Sequence, residues 1–201
     1  MLPEGFVYIR DIVPSVREDI RYAGSHNFVG CPVDGYFAPH GVLKIEAAQA
    51  LKKAADAFEE SGLYLLIYDA YRPQRAVDHF VRWAKDESDV KMKEEFYPTL
   101  NKSELFPKGY IAVYSGHSRG LTVDLTLTDA DGNELDMGGE FDWFSKISSH
   151  DYEGLTPQQK KNRQLLREGM LAAGFDDYVE EWWHYTFITG GEKIYYDFPI
   201  E

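Results

Sequence analysis

Ser115-Gly116-His117-Ser118-Arg119-Gly120-Leu121-Thr122-Val123-Asp124-Leu125-Thr126-Leu127 is the stretch from which the fold can be read. From Leu121 onward apolar and polar residues alternate without a break. Leu121, Val123, Leu125 and Leu127 fall on one face; Thr122, Asp124 and Thr126 fall on the other. Period two of this quality predicts a half-buried β-strand. The strand carries a carboxylate, Asp124, on its polar face. His117 stands in the turn before it, where Gly116 and Gly120 let the backbone fold back.

Working outward, apolar residues recur at helical spacing after Val42 (Leu43, Ala47, Ala50, Leu51, Ala54, Phe58), which predicts a helix over 42–60 with Gly62 as its stop. Residues 63–70 form an apolar, aromatic run that predicts a buried strand. A second helix is expected over 74–85, with the charge run 86–95 as its solvated end and a loop. Residues 110–114 read as a short strand. Thr156-Pro157-Gln158-Gln159 has the pattern of a capping box with Pro at the first helical position, opening a helix that ends near Ala173. Residues 181–188 read as a final strand rich in Trp, Tyr and Phe. Asp129-Ala130-Asp131-Gly132-Asn133-Glu134 has its glycine in the wrong place for an EF-hand, and Asp131-Gly132 signals a hairpin turn instead. Residues 1–40 read as extended or irregular. Helices and antiparallel-looking strands alternate irregularly, so the expected class is α+β: one domain over 1–201, with a central, mainly antiparallel sheet flanked by helices.

The composition sets limits on function. With 21 Lys+Arg against 34 Asp+Glu the formal charge is −13, a surface that repels nucleic acid and anionic membranes. Cys31 is the only cysteine, so neither an intrachain disulfide nor a Cys-rich zinc knuckle can form. The most apolar run, 63–68, is far too short to span a bilayer. The start of the chain lacks a basic, then apolar, secretory pattern, so a soluble cytoplasmic protein is the expectation. The sequence leaves oligomeric state open.

The chemistry concentrates in the quoted stretch and in Glu181-Trp182-Trp183-His184. Together they supply two imidazoles, one carboxylate placed to ligate and a second carboxylate three residues before the last imidazole. A catalytic zinc site needs that inventory: three protein ligands, an open fourth position and a base. The strand pattern puts His184 on the face of Trp182 and Thr186, and Glu181 at the strand's start, where irregular backbone can aim it at the same point. Blander readings compete. A His near an Asp is usually a hydrogen-bonded pair, and a His in an aromatic strand is usually a satisfied core residue. The residues alone leave both readings open. The iron facial triad normally has a single residue between its first His and its carboxylate, whereas six lie between His117 and Asp124. HExxH is absent. No base can be assigned to Cys31. Gly116-x-Ser118-x-Gly120 leads into a strand rather than a helix, against a nucleophile elbow.

Ser115-x-His117-x-x-Gly120-x-Thr122-x-Asp124 with Glu181-x-Trp183-His184 resembles the zinc D-alanyl-D-alanine dipeptidases of the VanX type. These belong with the D-Ala-D-Ala carboxypeptidases related in fold to the hedgehog signalling domain. The resemblance runs along nearly the whole chain, through Arg21-Tyr22, Pro32-Val33-Asp34-Gly35-Tyr36, Tyr71-Arg72-Pro73, Lys108-Gly109-Tyr110, Phe141-Asp142 and Asp197-Phe198-Pro199. It implies one Zn²⁺ per chain held by His117, Asp124 and His184, with zinc-bound water as nucleophile and Glu181 as general base, then acid. Arg72 would stabilise the oxyanion; the reading that competes is an ion pair with Asp69. Tyr22, Ser115 and Asp142 would grip the dipeptide. The implied reaction is hydrolysis of D-Ala-D-Ala. Its rivals are D,D-carboxypeptidase action on peptidoglycan stems and a non-catalytic zinc module. Thr122 departs from the Ala usual in the family and is expected to narrow the site.

Overall fold

The computed structural model describes residues 1–190 and 192–201. In chain order the elements are β1 (Phe6–Tyr8), α1 (Ile9–Ile12), β2 (Arg17–Glu18), β3 (Val42–Lys44), α2 (Ile45–Glu59), β4 (Tyr64–Asp69), α3 (Gln74–Lys85), α4 (Lys93–Phe96), α5 (Lys102–Leu105), β5 (Thr122–Thr128), α6 (Pro157–Ala172), β6 (Phe175–Tyr178) and β7 (Glu181–Phe187). Five strands form one sheet in the order β2-β4-β5-β7-β6. All its pairings are antiparallel except β2 with β4. β1 and β3 make a separate antiparallel pair. The class is α+β, as the sequence predicts, and no helix among the described residues is long and apolar enough to cross a membrane.

α2 buries the stripe Ala47, Leu51, Ala54 and Phe58 that its periodicity marks, and packs on β4 and α6. Its start differs from expectation. Residues 42–44 are taken into a strand because Phe6 pairs with Lys44 and Tyr8 with Val42, so the helix begins at Ile45. α3 occupies the expected residues. The capping box of α6 forms in both directions: Thr156 Oγ1 accepts from the Gln159 amide (3.3 Å), and the Gln159 side chain accepts from the Thr156 amide (2.9 Å). At the Asp131-Gly132 turn the chain reverses, and Leu135 N donates to Leu127 O at 2.9 Å.

Three expectations are corrected. β5 is buried over all seven residues rather than half-buried, because it is the middle strand and its Asp124 face forms part of a cavity wall. Residues 110–114 are not a strand. The amides of Tyr110 and Ile111 turn back to Leu105 O (2.9 and 3.3 Å), and the Tyr110 ring stacks on Phe144 at 5.0 Å. Within the charge run, α4 begins at Lys93. The sheet also gains β6, a strand hidden in sequence by the polar pair Asp176-Asp177.

Candidate active site

Gly120 joins the two parts of the motif. Its φ of +72° ends the 3₁₀ turn Gly116–Arg119 and turns the chain into β5. A Cβ there would lie 2.3 Å from the Phe6 ring, so any other residue would have to push that ring aside as well as adopt a strained φ. Ser115 opens the same turn, its Oγ accepting from the His117 amide at 3.3 Å. His117 is thereby fixed at the head of β5. Its Nδ1 lies 2.7 Å from Ala70 O. A carbonyl only accepts, so Nδ1 carries the proton and Nε2 presents a lone pair.

β5 and β7 pair so that Asp124 stands directly opposite His184. His117 Nε2 is 3.2 Å from Asp124 Oδ2 and 3.3 Å from His184 Nδ1, and His184 Nδ1 is 3.1 Å from Asp124 Oδ1. Ligand atoms about 2.1 Å from one tetrahedral ion stand about 3.4 Å apart, so this triangle has the size such an ion requires. Asp124 Oδ1 is buried without a hydrogen-bond partner despite the nearness of His184, the condition of an atom awaiting a cation. The donor set of two imidazole nitrogens and a carboxylate suits zinc chemistry. Among the described residues these three form the one cluster of His, Cys, Asp or Glu compact enough to hold a metal.

Glu181 starts β7 opposite Tyr178, just past a register irregularity between β6 and β7. That irregularity carries its carboxylate to the His184 side, Oε2 lying 3.4 Å from His184 Nδ1. Burial raises the Glu181 pKa, with Asp124 adding to the effect, while His184 and Arg72 oppose it. Burial also pushes Asp124 upward, but His117 and His184 outweigh it and hold this carboxyl well below the usual range. Two carboxylates in one site are thus driven apart, one kept ionised to ligate and one made more basic to accept a proton.

Arg72 makes the ion pair with Asp69 that the sequence offered as one of its readings, and it also reaches the candidate site. Its Nε donates to Asp69 Oδ2 at 2.8 Å, and its Nη2 lies 3.5 Å from Asp124 Oδ2. The guanidinium also sits over the rings of Tyr22 and Phe80, at 5.0 and 5.2 Å. Asp69 is fully buried and accepts from Tyr36 Oη at 2.6 Å. It holds the cation that faces the site. Sequence reasoning gave Asp69 only as a competing partner for Arg72 and gave Tyr36 no role; the signal was Asp69's place three residues before Arg72, at the end of a buried strand. Asp69→Asn is expected to lower turnover about 10²-fold with metal content unchanged, since misplacing a positioning group by about 1 Å costs that much. Comparison of kcat and metal content between the variant and the unmodified chain checks it.

Arg72, His117, Asp124, Glu181 and His184 line a cavity of about 230 Å³. Ser115, Tyr22 and Asp142 all border it. Tyr22 Oη donates to Asp142 Oδ2 at 2.7 Å. Asp142 is the one non-glycine among the described residues with positive φ (60°), a strained conformation of the kind that collects at functional sites. Tyr110, Tyr114, Phe144 and Tyr178 complete the wall. None of these four was given a place in the site from sequence, because they arrive on irregular loops and on β6.

The fold and donor set point to a class, a metallohydrolase-like site on a mainly antiparallel sheet, with His117, Asp124 and His184 as candidate ligands. A family model described as peptidase M15, D-Ala-D-Ala dipeptidase, matches residues 3–200. The chain belongs to that family. It is 44% identical to a D-alanyl-D-alanine dipeptidase of Streptomyces coelicolor over 97% of this chain and 98% of that one. Identity is 41% to the enzyme of the same name from Enterococcus faecium, covering 98% of each chain, and 42% to that of Enterococcus faecalis, covering 99% of this chain and all of the relative.

Proposed function

We propose that the chain, as one catalytic domain over residues 1–201, hydrolyses the dipeptide D-Ala-D-Ala to two molecules of D-Ala with one zinc ion bound. The observation that carries this reading is the convergence of His117 Nε2, Asp124 and His184 Nδ1 on one point, with Glu181 3.4 Å from the last. His117, Asp124 and His184 would hold the metal. The chemistry zinc supplies when bound is Lewis acidity, which polarises a carbonyl and makes water acidic near neutral pH.

The chain's own groups do the rest. Asp142, whose Oδ2 accepts from Tyr22 Oη, borders the cavity and offers carboxyl oxygens to the ammonium of a free dipeptide. Ser115 Oγ accepts from the His117 amide, which leaves its hydroxyl hydrogen free for the substrate carboxylate. Arg72, anchored by Asp69, faces the position where negative charge grows on the carbonyl oxygen. Glu181 takes the proton of the attacking water and returns it to the departing amine. A cavity of about 230 Å³ is smaller than drug-sized pockets and suits a ligand the size of two alanines.

The test is release of D-Ala from the free dipeptide and from a muramyl pentapeptide, before and after chelation. Cleavage of the dipeptide, abolished by chelator and restored by zinc, is expected. Preference for the pentapeptide would overturn the dipeptidase reading in favour of a D,D-carboxypeptidase.

A further inference from the structure

Thr122 does not narrow the cavity as the sequence suggested. It pairs across the β5–β7 ladder with Thr186, two residues along from the Asp124–His184 pair and on the same face. The two hydroxyls meet at 2.9 Å, and Thr122 is fully buried. Directly above them lies Gly116, which borders the cavity. A Cβ on Gly116 would stand 2.9 Å from Thr122 Oγ1 and 3.9 Å from Thr186 Oγ1. The turn carrying His117 is therefore seated on the threonine pair with no room to spare.

The three metal donors come from three pieces of chain: the turn, β5 and β7. Backbone pairing fixes which residues stand opposite, but strand twist leaves the separation of side chains on one face adjustable. A hydroxyl-to-hydroxyl bond beside the ligand pair sets that separation. The backbone of the turn resting on it sets the height of His117 above both strands. We infer that Gly116, Thr122 and Thr186 form a positioning layer that holds His117, Asp124 and His184 at ligating distance before an ion arrives; this rests on the metal-site reading above. None of the three is among the clustered donors. They act through the ligands.

The experiment compares the unmodified chain with Thr122→Val, Thr186→Val and Thr122→Ser. Valine keeps the shape of threonine and deletes the bond; serine keeps the hydroxyl. Zinc affinity is measured by competition with a chromophoric chelator, and ligand geometry by the visible absorption of the cobalt-substituted protein. Both valine variants are expected to bind zinc about 10-fold more weakly, the lower end of the range for groups that orient ligands, and to show an altered cobalt spectrum. Thr122→Ser is expected to restore both. Thr186→Val repeats the test from the other strand should Thr122→Val fail to fold. Gly116→Ala, which forces its methyl into the Thr122 hydroxyl, is expected to weaken zinc further. If the unmodified chain takes up neither metal, the metal site itself is wrong and this layer falls with it. If that chain binds both ions and the valine variants match its affinity and spectrum, the metal site stands and the positioning role is overturned.

Discussion

Glu181→Ala is expected to lower turnover of D-Ala-D-Ala by about 10²–10⁴-fold while leaving one metal ion per chain. The two halves of that outcome come from different parts of the geometry. Glu181 is not one of the three clustered donors, and it lies on the open side of His184 at 3.4 Å, so its loss leaves the ligand triangle intact. What disappears is a carboxylate made more basic by burial and by its neighbour Asp124, the group proposed to receive a proton from water and hand it to the amine. The expected loss corresponds to about 3–5 kcal/mol of barrier. Glu181→Gln keeps the volume and hydrogen-bonding reach but cannot accept the proton, so it should fall as far as alanine. KM should change little in either, because the proton moves only in the transition state. Metal analysis beside steady-state kinetics separates this from a purely structural zinc module, in which Glu181 has nothing to do. Retained turnover in either variant removes Glu181 from the mechanism.

The site as a whole gathers more carboxyl groups than guanidinium groups. Asp69, Asp124, Asp142 and Glu181 gather around a single guanidinium, that of Arg72, which is itself 13% exposed. Burial raises the pKa of Asp69 and pushes that of Asp142 well up, in each case against the pull of Arg72. Such a shell is short of positive charge. A divalent cation at the Asp124 corner and an ammonium at the Asp142 corner are the two partners that would settle it, and a metal ion with a free dipeptide brings both.

How far the sequence could see into this arrangement depended on range. β5, α3, the capping box of α6 and the Asp131-Gly132 turn are written in neighbouring residues, and they were legible for that reason. The candidate ligands His117, Asp124 and His184 and the proposed base Glu181 were legible because each lies in a short, unusual motif. Their convergence was not legible, since it depends on which residue of β7 stands opposite Asp124, a register no local pattern fixes. The same limit hid Tyr36's hold on Asp69 and the contact of Thr122 with Thr186 beneath Gly116. Residues 110–114 misled for a different reason. Tyr110, Ile111, Val113 and Tyr114 have strand composition, yet the carbonyl of Leu105 captures the first two amides and leaves the loop to wall the cavity.

Loss of a ligand should act on a different quantity from loss of the base. His184→Ala is expected to bind less than one tenth of the metal held by the unmodified chain, with D-Ala-D-Ala cleavage at the chelated background. The protein itself should remain folded. His184 is 19% exposed at its side chain and stands at the cavity rather than in the core, so alanine opens no buried void of the kind that destabilises cores. The consequence shows in how stability responds to zinc. A ligand bound only by the native state stabilises it by about 2.7 kcal/mol at 100 times its dissociation constant. Added zinc should therefore raise the melting temperature of the unmodified chain and of Glu181→Ala, and leave His184→Ala where it was. Chelator should do the reverse, lowering the first two and sparing the third. Calorimetry on the three proteins, with and without zinc, reads this without any assay of turnover. A zinc-dependent rise in His184→Ala equal to that of the unmodified chain would mean that the ion is held elsewhere, and the ligand triangle would have to be abandoned.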